Sequence, residues 1–152
     1  MKKSPSKENK SLFSPAEDER LVAAIREAER MTSGEIRLYV ESHCSFVDPM
    51  DRAREVFAGL NMQHTRDHNG VLVYLALKDR QFAIYGDEGM HRKVGEDFWK
   101  EQALQLLSFL RKGAMVEGLE TCVKAVGVSL REHFPYEPDD ENELPDDIVF
   151  GL

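Results

Sequence analysis

The chain has 152 residues, 41% of them hydrophobic and 32% charged, an ordinary balance for one soluble domain with a sizeable core. Its net charge of −8 is uneven: residues 1–10 carry four lysines and one glutamate, whereas residues 137–147 carry seven acids and no base. An acidic body lacks the clustered Lys and Arg that phosphate backbones need, so nucleic acid is not expected as a partner. No apolar run reaches the roughly 20 residues that cross a bilayer.

In chain order, residues 1–13 read as a mobile basic arm. No apolar stretch follows the lysines as it would in a signal peptide, so a cytoplasmic protein is expected. Ser14-Pro15-Ala16-Glu17 is a capping box with proline at the first helical position. Leu21, Val22, Ile25, Ala28 and Met31 then recur at helical spacing, predicting a helix to about Thr32, where Ser33-Gly34 breaks it. Glu35–Glu41 alternates apolar Ile36, Leu38 and Val40 with polar residues, a strand with one face on a core. Asp48-Pro49 opens a second helix that includes Val56, Phe57 and Leu60 and runs to about His64.

Residues 71–77 are almost entirely apolar, the pattern of a strand covered on both faces. Lys78-Asp79-Arg80 turns the chain into a returning strand, residues 81–85. After Gly86-Asp87-Glu88-Gly89 one helix includes Phe98, Trp99, Ala103, Leu106 and Leu110, and Lys112-Gly113 ends it. A last helix presents Leu119, Cys122, Val123, Val126 and Leu130 on one face. Phe98 and Trp99 are expected in the core, and Cys122 as a small buried hydrophobe. Residues 135–152 form an acidic tail; residues 137–143 are expected to stay loose and residues 145–150 to pack down through their apolar side chains.

The order α-β-α-β-β-α-α predicts an α/β domain over residues 14–134, a small mixed β-sheet sandwiched by helices. The first two strands, joined by a helix, should be parallel with a right-handed crossover, and the third antiparallel. One end of the sheet then gathers Glu35, Asp67, Asp87 and Glu88, with His68 and Asn69 beside them. Clustered oxygen ligands suit Ca²⁺ or Mg²⁺; alternatively, each acid caps its own turn or helix.

The opposite end holds Ser42, His43 and Cys44 with Asp79. Residues adjacent on an extended strand cannot aim three side chains at one centre, so no catalytic triad is expected there. His64 and His68 have the spacing of a helical metal pair, but Asn69-Gly70 ends any helix before it would count. The Gly86–Gly89 loop lacks the glycine spacing and lysine of a phosphate loop, and no Gly-x-Ser-x-Gly elbow is present.

Ser33-Gly34-Glu35-Ile36-Arg37, Asn69-Gly70-Val71-Leu72-Val73, Ala83-Ile84-Tyr85-Gly86-Asp87 and Gly118-Leu119 together resemble the TPM domain. That family includes a thylakoid-lumen phosphatase-like protein, photosystem II repair factors and many bacterial proteins; the tail resembles that of a short soluble bacterial branch. The resemblance implies an α/β/α sandwich, divalent-cation binding at acidic loops, which Asp67 and Asp87 match, and acid phosphatase activity. Two functions compete. One is a monomeric, cation-binding, chaperone-like module that engages another protein; the other is a weak metal-dependent acid phosphatase with Arg66 and His68 as the cations nearest the acids.

Overall fold

A computed structural model describes residues 12–136 and 148–151. Among them, helices α1 (Pro15–Glu29), α2 (Pro49–Gly59), α3 (Glu88–Arg111) and α4 (Met115–His133) surround strands β1 (Glu35–Glu41), β2 (Gly70–Ala76), β3 (Gln81–Gly86) and β4 (Ile148–Phe150). The sheet runs β3-β2-β1-β4. β1 is parallel to both β2 and β4, and β3 is antiparallel to β2, as the crossover argument predicts. No helix of the described residues is long and apolar enough to cross a membrane.

Each start signal does its physical work. The Ser14 hydroxyl accepts from the Glu17 N–H (3.1 Å) while the Glu17 carboxylate accepts from the Ser14 N–H (2.9 Å). The Asp48 carboxylate caps α2 by accepting from the Met50 N–H at 2.9 Å. β2 is buried at all seven positions. Its Val71, Val73 and Leu75 join Ile36, Leu38 and Val40 against α1, α3 and α4, in a core that includes Leu21, Ile25, Leu106, Val123 and Leu130. On the opposite face Leu72, Tyr74 and Ala76 meet Val56 and Phe57 of α2 and Met62 from the turn that follows it. Cys122 lies in the larger core, and burial pushes its thiol up to about 12.

Two helix ends and one helix interior differ from the sequence reading. α1 stops at Glu29, and Met31, expected on the apolar face, is 64% exposed on a left-handed backbone (φ 63°). The chain leaves the helix because the end of α4 takes over its bonding. The Thr32 hydroxyl bonds the carbonyls of Leu130 (3.1 Å) and Phe134, and the Ser33 N–H donates to Phe134 (3.1 Å). The second helix breaks at Leu60, and left-handed Asn61 starts a short 3₁₀ turn, Met62–His64, that drops Met62 fully into the core. α3 is kinked at Gly95, whose backbone is non-helical (φ 78°, ψ 175°).

The tail supplies a strand that no sequence pattern announced. Ile148, Val149 and Phe150 pair with Leu38, Tyr39 and Val40, and the Gly151 N–H donates to the Val40 carbonyl at 2.8 Å. Phe150 meets Phe13 edge to face at 6.1 Å, so this segment packs down where docking was expected. The looseness expected of residues 137–143, and the docking of 145–147, lie outside the described residues.

At the other end of β1, Glu41 is buried. Arg52 of α2 reaches it with a two-pronged fork, Nε to Oε2 at 2.9 Å and Nη2 to Oε1 at 3.0 Å, and the Tyr74 hydroxyl donates to Oε2. Burial alone would raise the Glu41 carboxyl; the Arg52 fork and the Tyr74 hydroxyl outweigh it and hold the group below its ordinary value. Arg52 also lies 5.5 Å from the Tyr39 ring centroid, clamping α2 to the sheet.

Two stability measurements follow. A depressed folded-state value stabilises above the ordinary glutamate value of 4.5 and ceases to do so as pH falls through the folded value. In Arg52→Met, burial becomes the main influence and raises the carboxyl, reversing the sign. Relative to the parent, urea unfolding should show a loss of about 3–5 kcal/mol at pH 7 that narrows towards pH 4. Phe150→Ala should cost about 1–2 kcal/mol by the same measurement, since it strips half-buried apolar area from the seam of β4 and Phe13.

Candidate functional site

The starts of β1 and β2 and the end of β3 meet at one end of the sheet: Glu35 pairs with Gly70, and Val71 with Gly86. The convergence expected from topology is therefore present in the backbone. The side chains divide. Asp67 Oδ2 accepts from the Ser33 hydroxyl at 3.2 Å and lies 3.5 Å from Arg66 Nη2. Asp87 caps α3, its Oδ1 accepting from the Glu88 N–H at 2.7 Å, while Oδ2 lies 3.6 Å from His68 Nδ1. Glu88 turns outward to Arg92 at 2.7 Å, an exposed pair on the helix surface. Glu35 is buried at the strand start.

The loop is held tightly to the first turn of α3. The Met90 N–H donates to the His68 carbonyl at 3.1 Å, and the Asp87 N–H to the Gly70 carbonyl at 2.9 Å. A Cβ on Gly89 would stand 2.1 Å from the Asp67 carbonyl oxygen and 2.6 Å from that of His68, so only glycine permits this approach. His68 takes a left-handed backbone (φ 50°), which removes the helical spacing of His64 and His68.

Asn69 is the residue that sequence reasoning undervalued. It is fully buried, its Nδ2 donates to Ser33 Oγ at 3.2 Å, and Ser33 in turn donates to Asp67. Asn69 Oδ1 and Asp87 Oδ2 are buried acceptors without a hydrogen-bond donor. Such atoms ordinarily cost about 1–3 kcal/mol each. The donor chemistry, two carboxylates with amide and hydroxyl oxygens, fits a hard cation in type. Among the described residues no group of three or more His, Cys, Asp or Glu gathers closely enough to hold a metal by itself.

At the opposite end Asp79 ties the β2–β3 turn to the end of β1. Its Oδ1 lies 2.9 Å from His43 Nδ1, and its Oδ2 accepts from the Cys44 N–H at 2.7 Å. The His43 contact and the Cys44 N–H hold the Asp79 carboxyl below its ordinary range. The Cys44 thiol instead donates to the Phe46 carbonyl (3.6 Å), so His43 and Cys44 do not form a nucleophile-base pair with it.

A groove of about 710 Å³ adjoins the acidic end, walled by the start of α2 and by α3 with β3 between them. Trp99, expected in the core, is only partly buried and lines this groove, its indole N–H donating to His91 Nδ1 at 3.1 Å.

The structure resembles solved structures of three bacterial proteins. The BA42 protein of the psychrophilic bacterium Bizionia argentinensis is 39% identical over 93% of this chain and 97% of its own, with a TM-score of 0.85. The N-terminal domain of a P. gingivalis protein is 19% identical over 84% of this chain and 83% of its own (TM-score 0.70). The N-terminal domain of the cg2496 protein of Corynebacterium glutamicum is 15% identical over 98% and 92% (TM-score 0.63). These last two share the fold. No curated protein matches the sequence. The family model for the TPM domain matches residues 6–128, and the chain belongs to that family.

Proposed function

We propose that this TPM domain is a divalent-cation-binding module that engages another protein in a chaperone-like manner, with Ca²⁺ or Mg²⁺ at the acidic end of the sheet. One observation carries the reading: at the end where the acids collect, buried Asn69 Oδ1 has no hydrogen-bond partner and buried Asp87 Oδ2 has only His68 Nδ1 nearby, at 3.6 Å and beyond hydrogen-bond distance. Asp67 and Asp87 would hold the cation, with Asn69 Oδ1 beside them; Glu35 belongs to the acid set at the same end, and Glu88 would have to leave Arg92 to join it. A bound cation supplies the positive charge that compensates these oxygens. In this reading the protein acts as a monomer in the cytoplasm, consistent with its two free cysteines, and its charge of −8 favours protein over nucleic acid as partner.

A slow metal-dependent acid phosphatase is the second reading, favoured by Arg66. Its guanidinium is half exposed and 3.5 Å from Asp67, the kind of protein cation that holds a phosphate's charge. The cation, when bound, supplies Lewis acidity towards a phosphoryl oxygen. Asp67 then positions Arg66, and Ser33 orients Asp67.

Thermal unfolding tests the first reading. A cation at one hundred times its Kd adds about 2.7 kcal/mol to a native state that alone binds it. Millimolar Ca²⁺ or Mg²⁺ should raise the Tm, and the double variant Asp67→Asn, Asp87→Asn should lose that rise. Asparagine still caps a helix, so α3 stays anchored. An unmoved Tm at millimolar cation would sink the reading.

Hydrolysis of p-nitrophenyl phosphate tests the second. Turnover should be slow, depend on added cation, fall at least tenfold in Arg66→Ala or Asp67→Asn, and survive His43→Ala or Cys44→Ala. Fast turnover in EDTA, or loss with His43→Ala, would place the chemistry at the wrong end of the sheet.

A further inference from the structure

β3 is an edge strand, and its ladder can be phased. The Asp87 N–H bonds the Gly70 carbonyl, so Tyr85 and Ala83 face Leu72 and Tyr74 in the hydrogen-bonded pairs. Phe82, Ile84 and Gly86 therefore turn their N–H and C=O groups away from the sheet. Among the described residues no hydrogen bond from another element reaches those groups. The groove of about 710 Å³ runs along this edge, lined by Met50 and Arg54 of α2, Phe82 and Tyr85 of β3, and Trp99 and Lys100 of α3.

We infer that this groove receives an extended peptide segment of a partner protein, added as a fifth strand beside β3. The unpaired backbone row specifies the occupant's conformation, because only an extended chain can match donors and acceptors spaced along a strand. The walls select a single strand. Helices α2 and α3 flank the edge, so one peptide fits between them where the edge of a second folded sheet, such as another copy of this chain, meets their side chains first. The other edge of the same sheet already accepts such a segment: three residues of β4 pair with β1 while Ile148 and Phe150 pack on the core.

The lining sets the peptide's chemistry. Trp99 packs against Gly86, where a Cβ would stand 2.2 Å from the indole, and Arg54 covers the Tyr85 ring at 6.0 Å. These surfaces take aromatic or β-branched side chains at alternate positions of the guest, while Asp48, Glu88 and Glu96 outnumber Arg54 and Lys100 in the lining and favour a basic over an acidic residue there. The inference rests on the interaction-module reading and specifies its docking surface; it does not require the cation.

The test pans the full chain against a phage-displayed library of random twelve-residue peptides, once in EDTA and once in millimolar Ca²⁺. Enriched peptides are then titrated into ¹⁵N-labelled protein. The expected result is enrichment of peptides with apolar residues at alternating positions in both conditions. They should shift the amides of Phe82, Ile84 and Gly86 and the Trp99 indole N–H. Phe82→Pro removes one outward N–H at a position an edge strand tolerates, and should weaken binding at least tenfold. If that variant does not fold, Lys100→Tyr fills the groove from an exposed wall and should give the same loss. No enrichment, shifts centred elsewhere, or concentration-dependent self-association through these amides would overturn the inference. A Ca²⁺-induced rise in Tm without peptide binding would leave the cation reading standing and this one refuted.

Discussion

A strand with no wet face has to be covered twice, and β2 is such a strand. Every residue from Gly70 to Ala76 is buried, so the sheet needs a helical layer on each side. The connection that makes β1 and β2 parallel supplies one of them, because α2 must cross over the face on its way back. The remaining helices gather on the other face, where the apolar stripes of α1 and α4 meet the strands. From this arrangement comes the convergence of two strand starts and one strand end, and with it the acidic end of the molecule.

The cover over the second face is thin, one helix of eleven residues, and polar interactions reinforce it. Glu41 and Arg52 are placed where apolar contact alone is scarce, and the Tyr74 hydroxyl satisfies a further lone pair. A buried ion pair of this kind gains little over a well-packed apolar substitute, yet losing one partner is expensive. Its effect is directional: a two-pronged arginine fixes where α2 sits along the sheet, which in turn sets one wall of the groove.

Much of this architecture was legible from the chain. The reciprocal bonds of Ser14 and Glu17, the alternation of Ile36, Leu38 and Val40 and the unbroken apolar run of β2 are local signals, and local physics settles them. What escaped depends on distant partners. Met31 leaves its helix because Thr32 and Ser33 bond to the end of α4, about a hundred residues away. β4 has only three residues and no turn signal of its own. The pairing of Glu41 with Arg52 follows from the crossover, which puts α2 beside that strand end without specifying which side chains touch. At the acidic end topology brought the backbone segments together as expected, but side-chain direction sorted them: Glu88 turned to its own helix and Asn69 turned inward.

The late position of β4 has a consequence for the order of assembly. β1 precedes β4 by more than a hundred residues, so the strand that covers its outer edge is made after all the others described. Until residues 148–150 are synthesised, Leu38, Tyr39 and Val40 present a bare backbone edge to the surroundings. Closing it joins segments more than a hundred residues apart, a slow kind of contact to form. The nascent domain is thus most open to foreign strands just before β4 arrives, and protection of that edge falls to whatever first meets the growing chain.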